Sequence, residues 1–483
     1  REYGAVYAVA PLSYYLGATV EPGERPLLRT AAFEYGLTGA DGFEETVART
    51  LKQVFFLDCL TRTEGWTPVE LHERRVLEGE LGLDFAALYE RPLAEQLEAY
   101  LSIPYATIAE QVPTWKLTAH VAATPASVES LPFVVADLAV VRSSHTREVS
   151  VSNVRATALD TFLRGDDRRS AGVQSGSGGA YVHPPRADSL EQTWIGAGTP
   201  LGASKASLSA YHNRLERTPA EGDIEITVVC NDRAMDDERA VEEMYGERAD
   251  LPFDITVERD LTTTALEGAF STRTDFLHYI GHVDSAGFAC ADGRLDAREL
   301  DAVGVDAFLL NACQSYRQGM ALIEAGAIGG IVTLSDILNR DAVRMGRALA
   351  GLLDAGFPLR AALDTARGES IVGGQYLVVG DGGFAIVHAA SGTPTLYEIE
   401  RTEEGFRVEE FTYPTREHGL GSLLIPSAAG ESDCYLAAGH VRTFTLAAHE
   451  LWAFLALEAM PVKIDGRLYW SDRLDADAFQ GPG

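Results

Sequence analysis

The chain has 483 residues, 46% of them hydrophobic, with a formal net charge of −31. That length exceeds one ordinary core and that composition excludes a disordered chain, so two or three globular domains are expected. The charge argues against nucleic acid and anionic membranes as partners, because phosphate binding needs basic patches.

Residues 1–163 mix element types: Ala5–Val9 and Val134–Val141 read as strands, and Thr46–Cys59, Pro68–Tyr89 and Leu93–Leu101 as helices. They form an α+β scaffold or regulatory domain with no function attached. Residues 164–180 are polar and rich in Gly and Ser, as in a flexible linker.

From there strand and helix alternate. Strands are expected at Ile224–Val229, Phe253–Val257, Phe276–Gly281, Ala307–Leu310, Gly330–Leu334 and Tyr376–Val379. Between them come helices at Asp237–Tyr245, Thr262–Phe270, Met320–Ala325, Ala342–Ala355 and Leu359–Ala366, and a hairpin at Gly287–Arg294 turning at Asp292-Gly293. Short continuous apolar strands alternating with helices imply a doubly wound, mainly parallel α/β sheet over residues 181–383. Residues 384–483 lose the alternation and read as a β-rich extension. Its strands are Phe384–His388, Thr395–Ile399 and Arg407–Phe411, with a helix at Thr445–Ala459.

The five cysteines (Cys59, Cys230, Cys290, Cys313 and Cys434) are odd in number and widely spaced, with no CxxC pair. That pattern fits a reducing compartment and offers no zinc cluster. No apolar run approaches the roughly 20 residues of a membrane span, and Arg1 opens no signal peptide, so a soluble cytoplasmic protein is expected. Opening on Arg1 instead of Met, the chain also reads as a fragment or a processed form. Only Lys52, Lys116, Lys205 and Lys463 are lysines among 40 basic residues. An acid-rich, Lys-poor surface resembles the proteins of salt-loving archaea, with an ordinary acidic cytosolic protein as the alternative.

In doubly wound sheets ligands bind at the C-terminal strand ends. His282 follows the strand Phe276–Gly281, and Cys313 follows Phe308–Ala312. Neighbouring strand ends would bring an imidazole within reach of a thiol. A thiol with pKa about 8.5 is mostly protonated at neutral pH, and an imidazole or a helix N-terminus raises its thiolate fraction. The alternative for Cys313 is a small buried hydrophobe. His278 reads as a packed core histidine, and Cys230 and Cys290 as structural. His278 and His282 share a strand face without further ligands nearby, so neither a metal nor a cofactor is expected. Trp194–Gly202 has glycine spacing but no preceding strand and no Gly-Lys-Ser/Thr, so it reads as a loop.

Four segments in order resemble the CHAT-domain peptidases, relatives of caspases and separase. Phe276-Leu-His-Tyr-Ile-Gly-His282 is similar to their H-x-x-G-H-G segment, and Phe308-Leu-Leu-Asn-Ala-Cys-Gln-Ser315 to their nucleophile segment L-x-S-A-C-x-T. Gly326–Leu334 resembles the buried strand that follows, and Tyr376–Asp381 the closing strand. The resemblance spans about residues 190–385. It implies a caspase-like fold and a cysteine endopeptidase with Cys313 as nucleophile and His282 as acid and base. The oxyanion donors would be the backbone N–H groups of Val283 and Cys313. Val283 stands where the family has Gly; a backbone donor survives that change, while the angles open to Gly are not assured. Leu334-Ser-Asp-Ile-Leu-Asn-Arg-Asp341 resembles the separase segment whose Asp receives a basic P1 side chain. Asp336 holds that position, and Asp284 is a second carboxylate for the same cation. A helix N-cap or a solvated charge is the plain alternative for Asp336. The implied partners are a protein or peptide substrate and a regulatory protein. A catalytically silent CHAT-like scaffold is the second reading of the whole chain, and an esterase or acyltransferase using the same pair the third.

Overall fold

The computed structural model describes residues 2–65, 69–143, 147–149, 181–218, 222–231, 245, 251–284, 286–335, 339–370, 373–403, 405–425 and 433–474. The expected linker at 164–180, Asp336 and all of the expected helix Asp237–Tyr245 except Tyr245 itself lie outside these residues. Two compact units result, each assembled from separate stretches of chain. One comprises Arg1–Ser144, Ala187–Gln192 and Thr402–Phe454; the other His145–Arg186, Thr193–Arg401 and Leu455–Gly483. Residues 384–483 therefore contribute to both.

The smaller unit is built on the helix Phe43–Arg62, whose Val54, Phe56, Leu57 and Leu60 are fully buried. Around it lie the helices Glu2–Leu16, His72–Leu81 and Leu93–Ser102, a parallel pair Leu117–Val121 with Val140–Arg142, and a hairpin Gly405–Thr412 with Gly439–Leu446. Four sequence expectations are corrected here. Ala5–Val9 belongs to the helix Glu2–Leu16, which buries Tyr7, Ala8 and Leu12. Val134–Val141 is split, because Leu131-Pro132 starts a helix that runs to Ala136 before the strand Val140–Arg142 begins. Pro68–Tyr89 is two helices, His72–Leu81 and Phe85–Tyr89, separated by Gly82 in the left-handed region. Thr445–Ala459 is helical only over Ala448–Leu455, because Gly439–Leu446 is taken up by the hairpin.

The larger unit carries the α/β sheet. Seven of its strands are β1 (Ser204–Lys205), β2 (Ile224–Cys230), β3 (Phe253–Arg259), β4 (Thr274–Ile280), β5 (Val305–Asn311), β6 (Gly329–Thr333) and β7 (Tyr376–Gly380). They lie in the order β3-β2-β4-β5-β6-β7-β1, parallel throughout except for the antiparallel pair β6 and β7. The helices are α1 (Leu208–Glu216), α2 (Thr263–Ser271), α3 (Tyr316–Glu324), α4 (Asn339–Asp354) and α5 (Leu359–Ala366). Strands β4, β5 and β6 are almost wholly buried, as expected when helices cover both faces. Leu277, Tyr279, Phe308 and Leu310 pack with α2 and α3 residues such as Leu266, Phe270 and Leu322. On the opposite face His278 and Asn311 meet α4 at Gly346, where an added Cβ would lie 3.1 Å from the Asn311 amide nitrogen. The expected strand Phe384–His388 is irregular chain; Phe384 instead turns back on Asp381 and accepts from the Leu359 N–H.

Candidate active site

Strands β4 and β5 are register partners, with Ile280 opposite Asn311. His282 and Cys313 each lie two residues beyond that pair, in the loops that leave two neighbouring parallel strands. His282 is exposed and Cys313 half-buried. Elsewhere burial pushes the Cys59 thiol up to about 12 and raises those of Cys434 and Cys290. All five cysteines are free thiols.

After His282 the chain enters a small antiparallel sheet of Val283–Asp284, Gly287–Cys290 and Gly293–Leu295. The hairpin expected at Asp292-Gly293 is present, with one further strand joined to it. Ala289 N donates to the His282 carbonyl at 2.9 Å. His282 and Ala289 thus form a hydrogen-bonded pair, and the next pair, Val283 with Phe288, is the alternate kind whose amides face away from each other. The Val283 N–H therefore points out of the hairpin. Its side chain is 4% exposed and packs in the sheet core, and its φ is not among the positive values. Valine fits here because the position is an extended strand residue, a conformation that needs no glycine.

After Cys313 the chain enters α3, whose N-cap is Ser315. Gln314, between them, has φ of 52°, one of few non-glycine residues in the left-handed region. Such a residue costs on the order of 1–2 kcal/mol and marks a forced corner. Buried hydroxyls hold that corner. Ser315 Oγ donates to the Leu310 carbonyl (3.3 Å) and accepts from Thr333 N (2.9 Å). Thr333 Oγ1 donates to the Ala312 carbonyl and accepts from Ser315 N at 3.4 Å. One step below, the Asn311 amide donates to Ala342 O (3.0 Å) and accepts from the Tyr376 hydroxyl (2.8 Å). The sequence gives a faint sign of this set, since Asn311 and Thr333 are polar residues closing apolar runs. Their partners are remote in sequence and carry no such sign.

Asp284 is engaged by Arg294 at 2.8 Å and caps its own turn by accepting from Ala286 N at 2.8 Å. A substrate cation at Asp284 would share or compete for the carboxylate with Arg294. His278 is fully buried, with the Tyr245 hydroxyl 3.3 Å from Nδ1 and, among the described residues, no partner for Nε2. Burial alone pushes its imidazole down to about 3, so it stays neutral. Among the described residues, no helix is long and apolar enough to cross a membrane.

No family model matches the chain, and no curated protein matches it in sequence. Solved structures do align with it. The Arg-specific cysteine proteinase gingipain R aligns over 70% of this chain and 93% of its own at 10% identity, with a TM-score of 0.39. The complex of Porphyromonas gingivalis RgpB pro- and mature domains aligns over 69% and 95% at 10% identity, TM-score 0.38. The Saccharomyces cerevisiae separase–securin complex aligns over 70% of this chain and 25% of that one at 11% identity, TM-score 0.30. At such identities and TM-scores, function has to be argued from the residues.

Proposed function

We propose that this chain is a cysteine peptidase of the caspase-like clan, related to the CHAT domains, that cleaves a protein or peptide partner through Cys313 and His282. The observation that supports the proposal most is the register of β4 and β5, neighbouring parallel strands whose last pair, Ile280 and Asn311, precedes each of the two residues by two positions. The four sequence segments that resemble CHAT peptidases support it.

In this chemistry Cys313 Sγ attacks the scissile carbonyl carbon while His282 takes the thiol proton. The carbonyl oxygen becomes an oxyanion, met by the N–H groups of Val283 and Cys313. On collapse the C–N bond breaks, and His282 gives its proton to the leaving amine. Water, deprotonated by His282, then cleaves the thioester and restores the thiol. The N–H of Val283, facing away from its hairpin partner, supports that role. The resemblance of the sequence around Asp336 to the separase segment further points to a basic P1 residue, Arg above Lys, paired with that carboxylate.

A thiol-directed peptidyl probe, tested at low and at high salt, checks the dyad. Labelling at Cys313 is expected, with a loss of at least about 1000-fold in both Cys313→Ala and His282→Ala while the fold persists. A folded wild-type chain that is never labelled would favour the interaction scaffold and sink the peptidase. Among substrates with Arg, Lys or Asp at P1, Arg is expected to lead, by about 10–100-fold in kcat/KM over the same substrate in Asp336→Ala. A preference for Asp, or no loss in Asp336→Ala, would remove the basic pocket.

A further inference from the structure

We infer that Tyr279 is a positioning residue, whose hydroxyl fixes the peptide that aims the Val283 N–H. The inference rests on the peptidase reading above and assigns that site a residue outside its dyad.

Tyr279 lies on β4 with its ring fully buried, packed edge-on against Phe288 at 4.9 Å between centroids. A phenylalanine would serve that contact equally well, yet this residue takes a hydroxyl into the core, where an unpaired one would cost on the order of 1–3 kcal/mol. The hydroxyl reaches the corner that follows its own strand. It lies 2.9 Å from the Ala289 carbonyl oxygen, to which it donates, and 3.3 Å from that of His282. The Asn231 amide donates to the same Ala289 carbonyl at 3.0 Å and ties it to the end of β2. Ala289 N in turn donates to the His282 carbonyl.

The consequence comes from the peptide unit itself. The His282 carbonyl and the Val283 N–H belong to one planar trans peptide, so they point in opposite directions. Whatever holds the carbonyl on the hairpin side aims the N–H the other way. Two groups do so, the Ala289 N–H directly and the Tyr279 hydroxyl through Ala289. Gly281 completes the arrangement, because a Cβ there would sit 2.8 Å from the Tyr279 oxygen. Any larger residue at 281 pushes the hydroxyl away. An oxyanion donor works only where it is preorganised, and loss of one donor costs about 100–1000-fold in kcat. Loosening one is expected to cost less.

The test separates this donor from the dyad. Alkylation of Cys313 by iodoacetamide forms no oxyanion, so its rate and pH profile report the Cys–His pair alone. Hydrolysis of a peptide substrate reports both. In Tyr279→Phe, kcat is expected to fall about 10–100-fold, with KM and the alkylation profile within about twofold of wild type. Gly281→Ala, which displaces the hydroxyl without removing it, is expected to repeat that selective loss. Unchanged kcat in both variants overturns the inference. So does a parallel loss of kcat and alkylation in both, which would make Tyr279 a structural support of the whole corner. Failure of the peptidase reading looks different: wild-type Cys313 would then alkylate as an ordinary thiol and the chain would hydrolyse no peptide.

Discussion

At the His282 corner the chain leaves a buried strand for a hairpin, and main-chain groups hold the turn, with one tyrosine hydroxyl and one asparagine amide beneath. At the Cys313 corner it leaves the neighbouring strand for a helix, and side-chain hydroxyls from Ser315 and Thr333 hold it. The supports one level down differ as well. Asn311, under Cys313, has both ends of its amide paired. His278, under His282, keeps a buried Nε2 with no partner among the described residues. A hairpin satisfies its own backbone, so its corner needs little else. A strand-to-helix corner leaves orphan groups at the helix start, and buried side chains must meet them.

The largest effect expected from breaking this comparison is at Thr333. Thr333→Val keeps the shape and removes the hydroxyl that serves Ala312 O and Ser315 N. Two fully buried groups lose a partner, at on the order of 1–3 kcal/mol each, so destabilisation of about 2–4 kcal/mol is expected by denaturant titration. The alkylation rate of Cys313 should change with it. A stability loss below about 1 kcal/mol would show that the helix start, and not the hydroxyl set, holds this corner.

Much of this contrast was legible in the sequence, and the illegible part has a physical pattern. Phe276–Gly281, Ala307–Leu310 and Gly330–Leu334 stand out because strands covered on both faces are unbroken apolar runs, and all three are strands. The same rule misleads at Ala5–Val9, where an equally apolar run is one stretch of a 15-residue helix. Periodicity cannot separate those cases over five residues. Phe384–His388 shows a second limit, since an apolar run becomes a strand only where a neighbour offers a ladder. At the candidate site, the strand ends that precede His282 and Cys313 were visible. Ser315, Tyr279 and Tyr376 were not, and Thr333 only faintly, because their roles depend on partners brought together by the fold. The place of Val283 in a hairpin strand, with a buried side chain and an outward N–H, was likewise not legible from its position after His282.

A smaller effect sharpens the difference between the two supports. His278 has its pKa lowered from 6.5 to about 3 by burial, so the folded chain binds fewer protons there than the unfolded one. A depressed pKa contributes stability that is fully present above the unfolded value of 6.5 and is lost as pH falls toward about 3. Within that window the unfolded imidazole is charged and the folded one is not, so His278 adds a slope of up to about 1.4 kcal/mol per pH unit. Asn311 does not titrate and adds none. Unfolding free energies measured between pH 6.5 and 4 should therefore fall more steeply in wild type than in His278→Phe, by nearly one proton per molecule. Carboxylates elsewhere contribute to both curves and cancel in the difference. Equal slopes would mean that the buried imidazole takes up a proton in the folded state, and that water or the Tyr245 hydroxyl supports the charge.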